Sequence, residues 1–260
     1  MSAIGGLRAT SRQGLRLAVL IIGAWLFSLI SLLALPLASW PWWLITGAVL
    51  LRTFLQTGLF ITAHDAMHGL LLPERPGSNQ RLGALCLALY AGLPYRACLR
   101  NHQLHHRRQA TAEDPDVPSD PDAGLWRWYV NFMAEYLSPS QMGRLLSFWT
   151  ILALLMTAWN KATWINLLLF CSLPLLLSSL QLFIFGTYLP HRGQYLNGGR
   201  GRPVSLRLPP WLSLLACFHF GYHREHHDHP QLAWFELPNH QRWRHAPTSV
   251  RSIRVASQQA

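Results

Sequence analysis

The residues of this chain best placed to do chemistry are histidines at short, repeated spacings. They form three boxes: His64-Asp-Ala-Met-His68, His102-Gln-Leu-His105-His106 and His223-Arg-Glu-His226-His227. Residues three and four apart share one face of a helix, so each box can aim two or three imidazoles at one point. Imidazole suits iron, zinc, copper and nickel, and no cysteine cluster competes for a metal. A single zinc takes three or four protein ligands. Eight box histidines are too many for one ion and about right for two. Histidine ligands are neutral, so carboxylates are expected to orient them through the second ring nitrogen, and Asp65, Glu225 and Asp228 are placed to do so.

Other polar residues carry less. His191 emerges at the end of an apolar run on the expected side of the boxes and reads as a further ligand. His219 lies four residues before His223, and could be a ligand or a partner of one. His229, His240 and His245 have no partner pattern and read as surface histidines. His64-Asp-Ala-Met-His68 mimics the HExxH pair of zinc hydrolases, with a shorter Asp where the general base would stand. The other two boxes have no place in that scheme. Asp114-Pro-Asp116 either orders a loop over the site or is turn chemistry. Trp126, Trp128 and Tyr129 either line a lipid entrance or form an interfacial belt.

The elements that must position these groups are apolar. Half of the 260 residues are hydrophobic, only 13% are charged, and mean hydropathy is +0.15. That composition belongs to a multi-span membrane protein, and 12 tryptophans suit interfacial anchoring. The net charge of +11 could point to nucleic acid. However, the arginines sit beside apolar segments: Arg8, Arg12 and Arg16 before the first, and Arg242, Arg244, Arg251 and Arg254 in the tail. The positive-inside rule distributes charge this way, and no nucleic-acid-binding motif is present. Cys86, Cys98, Cys171 and Cys217 have no paired spacing and read as packing residues.

Four apolar runs are expected to span, near 17–37, 42–63, 145–159 and 164–189, as two helical hairpins with very short connections. The first is too long for the core of a signal peptide and reads as a retained span. If the N-terminal arginines stay cytoplasmic, each hairpin returns the chain to the cytoplasm, just before His64 and just before His191. The apolar segment 82–99 is nearly long enough to cross. Crossing would put His102–His106 opposite His64 and His68, so one site requires the segment to be re-entrant or interfacial. Pro94 and Arg96 favour that. The piece 209–220 is too short to span. Residues 1–245 then form one membrane-embedded domain, and 246–260 a polar tail. The segment 197–203 reads as a flexible basic loop.

The boxes, with spans before the first and the third, resemble the integral-membrane di-iron superfamily of fatty-acid desaturases and hydroxylases. Phe60-Ile-Thr-Ala-His-Asp-Ala-Met-His-Gly69, Asn101-His-Gln-Leu-His-His106, Phe185-Gly-Thr-Tyr-Leu-Pro-His-Arg192 and His219-Phe-Gly-Tyr-His-Arg-Glu-His-His227 resemble more closely the bacterial and cyanobacterial CrtW-type β-carotene ketolases. The resemblance implies two ferrous ions held by His64, His68, His102, His105, His106, His191, His223, His226 and His227. It also implies O2 as co-substrate, a soluble ferredoxin-like electron carrier, and oxidation of a ring methylene of a lipid-dissolved carotenoid to a ketone through two hydroxylations. The family pattern has a glycine before Asp-Pro-Asp where this chain reads Ala110-Thr-Ala-Glu113, a departure expected to touch a loop. The fold class that follows is all-α, integral to the cytoplasmic membrane, with a His-rich site facing the cytoplasm. The competing readings are a carotenoid 3-hydroxylase, a membrane fatty-acid desaturase, a membrane zinc hydrolase and a metal transporter. A transporter would carry its histidines within the spans, along a path.

Overall fold

The structure, a computed structural model, describes residues 3–118, 120, 123–158, 164–196 and 202–244. Outside them lie the short connection 160–163, most of the basic loop 197–203, His245 and the polar tail.

Four helices are long and apolar enough to cross a membrane. Helix α1 (Ala3–Leu33) and helix α2 (Trp42–Met67) form the first hairpin, turning through a single 3-10 turn at Leu37–Ser39. Pro36 and Pro41, which cannot donate a backbone hydrogen bond, bracket that turn. Lipid offers the last carbonyls of α1 no donor. The Asn166 side-chain amide supplies one, donating to Leu32 O at 3.1 Å and to Leu35 O at 3.0 Å.

Helices α3 (Pro76–Ala91) and α4 (Tyr95–Arg107) meet at a 100° bend. Gly92 closes α3 with φ +65°, a left-handed conformation that glycine adopts without strain, and Pro94 then starts α4. Near its start α3 is tied to the end of α2, where Asn79 donates to Ala66 O at 2.7 Å. Near its end the Gln56 amide donates to Tyr90 O. From Ala66 to Gln56 is ten residues, so α3 descends ~15 Å, about half of a ~30 Å hydrocarbon layer. The chain then turns back, and His102 meets His68 with 2.7 Å between their ring nitrogens. The segment is re-entrant and does not cross.

Helix α5 (Leu125–Tyr136) is followed by helix α6 (Pro139–Ala158) and helix α7 (Trp164–Leu196). The third span starts at Pro139, six residues before the apolar run. Its polar first turns pack on the re-entrant tip: Gln141 donates to Ala91 O at 3.3 Å and Arg144 to Gly92 O at 3.4 Å. Helix α7 widens into π turns at Leu168–Ser172 and Phe183–Tyr188, shortly before Pro174 and Pro190. A helical proline removes the donor for the carbonyl four residues back. For Pro174 that carbonyl belongs to Phe170, and the buried Arg52 guanidinium donates to it at 3.1 Å. Arg52 also donates to Trp25 O at 2.8 Å and sits over the Trp25 ring, which keeps a buried cation hydrogen-bonded among apolar neighbours.

Three short helices complete the chain: α8 (Pro210–Cys217), α9 (His223–Asp228) and α10 (Leu237–Arg244). Among the described residues there is no strand. Leucines and aromatics such as Phe27, Leu50, Leu154 and Leu176 stay exposed on the spans, where the surrounding solvent is lipid. All four cysteines are free thiols.

Candidate metal centre

The three boxes and His191 come from α2, α4, α7 and α9, and the structure brings all nine histidines together. They form two clusters. In the first, the ligand nitrogens of His64, His68, His102 and His226 all lie within 4.8 Å of one another; in the second, the same holds for His105, His191, His223 and His227. His106 joins the first cluster edge-on, its Nε2 3.0 Å from His226 Nε2.

The spacing of the boxes explains the split. On a helix, residues four apart diverge by ~40° and residues three apart by ~60° the other way. His102 and His106 of α4 therefore face one cluster, while His105 turns to the other. In α9 His223 and His227 serve the second cluster and His226 crosses to the first. Each HxxHH box thus feeds both clusters, which holds them side by side, with the His106 and His227 rings stacked at 4.3 Å.

The donor set fits small cations. Within the second cluster the Nε2 atoms converge: His105 on His227 at 3.2 Å, His227 on His223 at 2.9 Å and His191 on His223 at 2.8 Å. Four nitrogens at ~2.0–2.1 Å around one ion lie ~3.3 Å apart. Two partners fix the tautomers. His105 Nδ1 lies 2.9 Å from Asp114 Oδ1, and His191 Nδ1 lies 3.0 Å from Gln194 Oε1. An acceptor oxygen on Nδ1 puts the ring proton there and leaves the Nε2 lone pair aimed inward. His64 Nε2 is buried with no hydrogen-bond partner, a cost that a cation removes. Burial, reinforced by neighbouring imidazoles, holds His223, His226 and His227 well below the ordinary histidine value, so they stay neutral and ligand-ready.

The carboxylates behave differently from the sequence expectation. Asp65 Oδ1 is 3.9 Å from His64 Nδ1, too far for a hydrogen bond, and Asp65 Oδ2 instead accepts the Trp234 N–H at 3.4 Å. Asp65 therefore ties the segment after α9 to the end of α2. Asp228 faces Arg202 at 3.2 Å and Arg224 at 3.7 Å. Glu225 is buried and accepts the Ser205 hydroxyl. Asp114, from the Asp-Pro-Asp loop, is the carboxylate that orients a box histidine. It also accepts the Ala110 and Asp116 N–H groups at 2.8 and 3.0 Å, which folds the loop against the cluster.

His219 stands apart from both clusters. Its ring stacks between Tyr222 and Trp234, and burial pushes its pKa down to about 4. His229 and His240 pack ring to ring at 4.2 Å. Trp128 is buried, and its indole N–H donates to Asp116 O at 2.7 Å, whereas Trp126 is exposed.

Gly186 controls one wall. A Cβ there would lie 2.5 Å from the Phe220 ring, which packs edge-on against His64 at 4.8 Å and His223 at 5.3 Å. Gly186→Ala must push that ring toward both clusters. Bound metal per chain and turnover should both fall by about tenfold or more, read by elemental analysis and product assay.

Two adjacent cavities share walls beside the histidines. A small one, about 40 Å³, is walled by His64, His102, His105 and His223 together with Asp116 and Thr187. A larger apolar one, about 600 Å³, lies between α5, α6 and α7, with the exposed Val130, Met142 and Leu176 at its rim. Phe60, Phe132, Tyr136 and Leu182 wall both, and so form the neck. Tyr129, in the larger cavity, has its hydroxyl 2.6 Å from that of Ser179. The ring stretch 126–129 thus divides: Tyr129 lines the cavity, Trp128 braces the Asp-Pro-Asp loop and Trp126 stays outside.

Comparison with known proteins agrees with this geometry. The fatty acid desaturase family model matches residues 39–254. The beta-carotene ketolase of Paracoccus sp. strain N81106 is 43% identical over 189 residues, covering 72% of this chain and 75% of the relative. The beta-carotene ketolase of Paracoccus sp. strain PC1 is 40% identical over 190 residues, covering 72% and 74%. The beta-carotene 4-ketolase 3 of Haematococcus lacustris is 35% identical over 207 residues, covering 75% of this chain and 61% of the relative.

Proposed function

The chain belongs to the fatty acid desaturase family, and on that premise we propose that it is a β-carotene 4-ketolase, an integral-membrane oxygenase that converts a ring methylene of a carotenoid to a ketone. The single observation that carries the reading is the apolar cavity among the spans, which shares walls with a smaller cavity lined by the paired histidine clusters. A long hydrocarbon can leave the bilayer sideways and bring one end to the site.

The nine box-and-span histidines would hold two metal ions, His64, His68, His102, His106 and His226 one, and His105, His191, His223 and His227 the other. Iron in these positions would supply the activation of O2, with electrons from a soluble ferredoxin-like carrier. The rest falls to the chain's own side chains. Phe60, Phe132 and Leu182 exclude water from the neck and hold the substrate ring. Asp114 and Gln194 keep His105 and His191 in the ligand tautomer.

The site faces the cytoplasm in this proposal. Ser11, in the basic N-terminal flank, donates to Leu71 O at 2.7 Å, so the N-terminal end of α1 stands beside the segment that follows the first box. Positively charged flanks favour the cytoplasmic side, and Arg12 and Arg16 adjoin Ser11 on that flank.

The test is expression in a bacterial host that accumulates β-carotene, with pigments resolved by chromatography and mass. The expected products are echinenone and canthaxanthin. Ring-3 hydroxylated pigments would transfer the chain to the hydroxylases. Unchanged β-carotene, with the protein in the membrane and reductant supplied, would sink the carotenoid reading.

A further inference from the structure

A ketone at a ring methylene needs two oxygenations of the same carbon, so an alcohol must be kept in the site between them. We propose that Tyr136, at the neck between the two cavities, is the residue that retains this alcohol by accepting a hydrogen bond from its hydroxyl. The inference rests on the ketolase reading.

Four side chains wall both cavities, and of Phe60, Phe132, Leu182 and Tyr136 only the last carries a hydroxyl. That hydroxyl is not free to turn. It donates to Asp116 Oδ1 at 3.0 Å. Asp116 is itself held, because its N–H donates to Asp114 Oδ1 at 3.0 Å and its carbonyl accepts the Trp128 indole at 2.7 Å. With its proton committed to a carboxylate, the phenol oxygen presents lone pairs to the neck and acts there as an acceptor. A methylene has nothing to give such an acceptor, and an alcohol has an O–H.

The balance of the two rounds shows what is retained. In the first, the ring CH2, one O2, two electrons and two protons give CHOH and one water. In the second, that CHOH, another O2, two electrons and two protons give a geminal diol and one water. The diol loses water and leaves the C=O, which has no hydroxyl to donate. Tyr136 therefore binds the intermediate more tightly than either substrate or product, and the ketone is free to leave. A soluble one-electron carrier supplies the reductant in both rounds.

The test is Tyr136→Phe in β-carotene-accumulating cells, reading the ratio of 4-hydroxy to 4-keto pigment. Loss of one hydrogen bond to the alcohol should raise that ratio by about tenfold. With the alcohol supplied, its KM should rise more than the KM for β-carotene does. An unchanged ratio, or equal effects on both KM values, overturns the proposal. If the variant does not accumulate, the natural chain is given the 4-hydroxy carotenoid and its O-methyl ether. The ether has no proton to donate and should compete about tenfold more weakly, and equal competition overturns the proposal. A natural chain that oxidises no carotenoid removes the ketolase reading first, and this one with it.

Discussion

His226→Ala should abolish carotenoid oxidation, and so should His68→Ala and His105→Ala. His68 and His226 belong to the first cluster and His105 to the second, so the three variants sample both. Loss of a group that only orients a metal ligand costs ~10–100-fold, and loss of the ligand itself should exceed that. The metal content separates this from misfolding. Each single variant should fall from two bound ions per chain toward one while staying in the membrane, because the remaining cluster keeps its four or more nitrogens. Elemental analysis of purified protein beside pigment analysis reads both quantities. Full activity in all three variants would be incompatible with two metals sharing the work.

The membrane architecture was legible because lipid is an unforgiving solvent. A backbone inside it must satisfy its own hydrogen bonds, so long apolar runs announce helices. On the premise of one site, the segment 82–99 was expected to be re-entrant or interfacial, since His102 had to lie on the side of His64. What sequence could not display was the polar bracing of those helices. Arg52 and Asn166 sit within or beside apolar runs and look like interruptions. Their partners, the Phe170 carbonyl and the end of α1, lie more than a hundred residues away in sequence. Helix α6 starts six residues before its apolar run for the same reason, because the polar Gln141 and Arg144 find their partners only on the re-entrant tip.

The site divides likewise into local and distant signals. Box spacing is local and sets which cluster each box histidine faces, whereas His191 reaches the second cluster from the end of α7. The orienting groups are matters of reach. Asp65 lies next to a box histidine in sequence, yet a helical neighbour points its side chain elsewhere, and it binds Trp234. Asp114 lies eight residues past its box, and only a loop that folds back brings it to His105. The signal for that fold was the Asp-Pro-Asp motif, read as either a loop-former or simple turn chemistry. Ala110 shows how tightly the loop is drawn. It holds φ +54°, a left-handed conformation costing an L-residue ~1–2 kcal/mol, in the stretch 110–113 that stands where the family pattern contains a glycine. The hydrogen bonds from Ala110 and Asp116 to Asp114 hold it there.

Leu182→Trp should silence oxidation of long carotenoids while leaving the metals in place. Leu182 is buried on α7, one residue before the second widened turn, and walls both cavities at their neck. The small cavity holds about 40 Å³, so an indole added at its entrance leaves no path for a ring. Leu182 is no histidine's hydrogen-bond partner, and the clusters keep their nitrogens. Overpacking a buried site costs ~1–3 kcal/mol, which a chain of this size can absorb. A substrate ring held even ~1 Å from its reactive position loses ~100-fold in rate. Turnover of β-carotene should therefore drop by at least about 100-fold at unchanged metal content, as measured by pigment and elemental analysis on the same membranes. Turnover within twofold of the natural chain would mean that the substrate reaches the histidines by another route and that the apolar cavity is not its path.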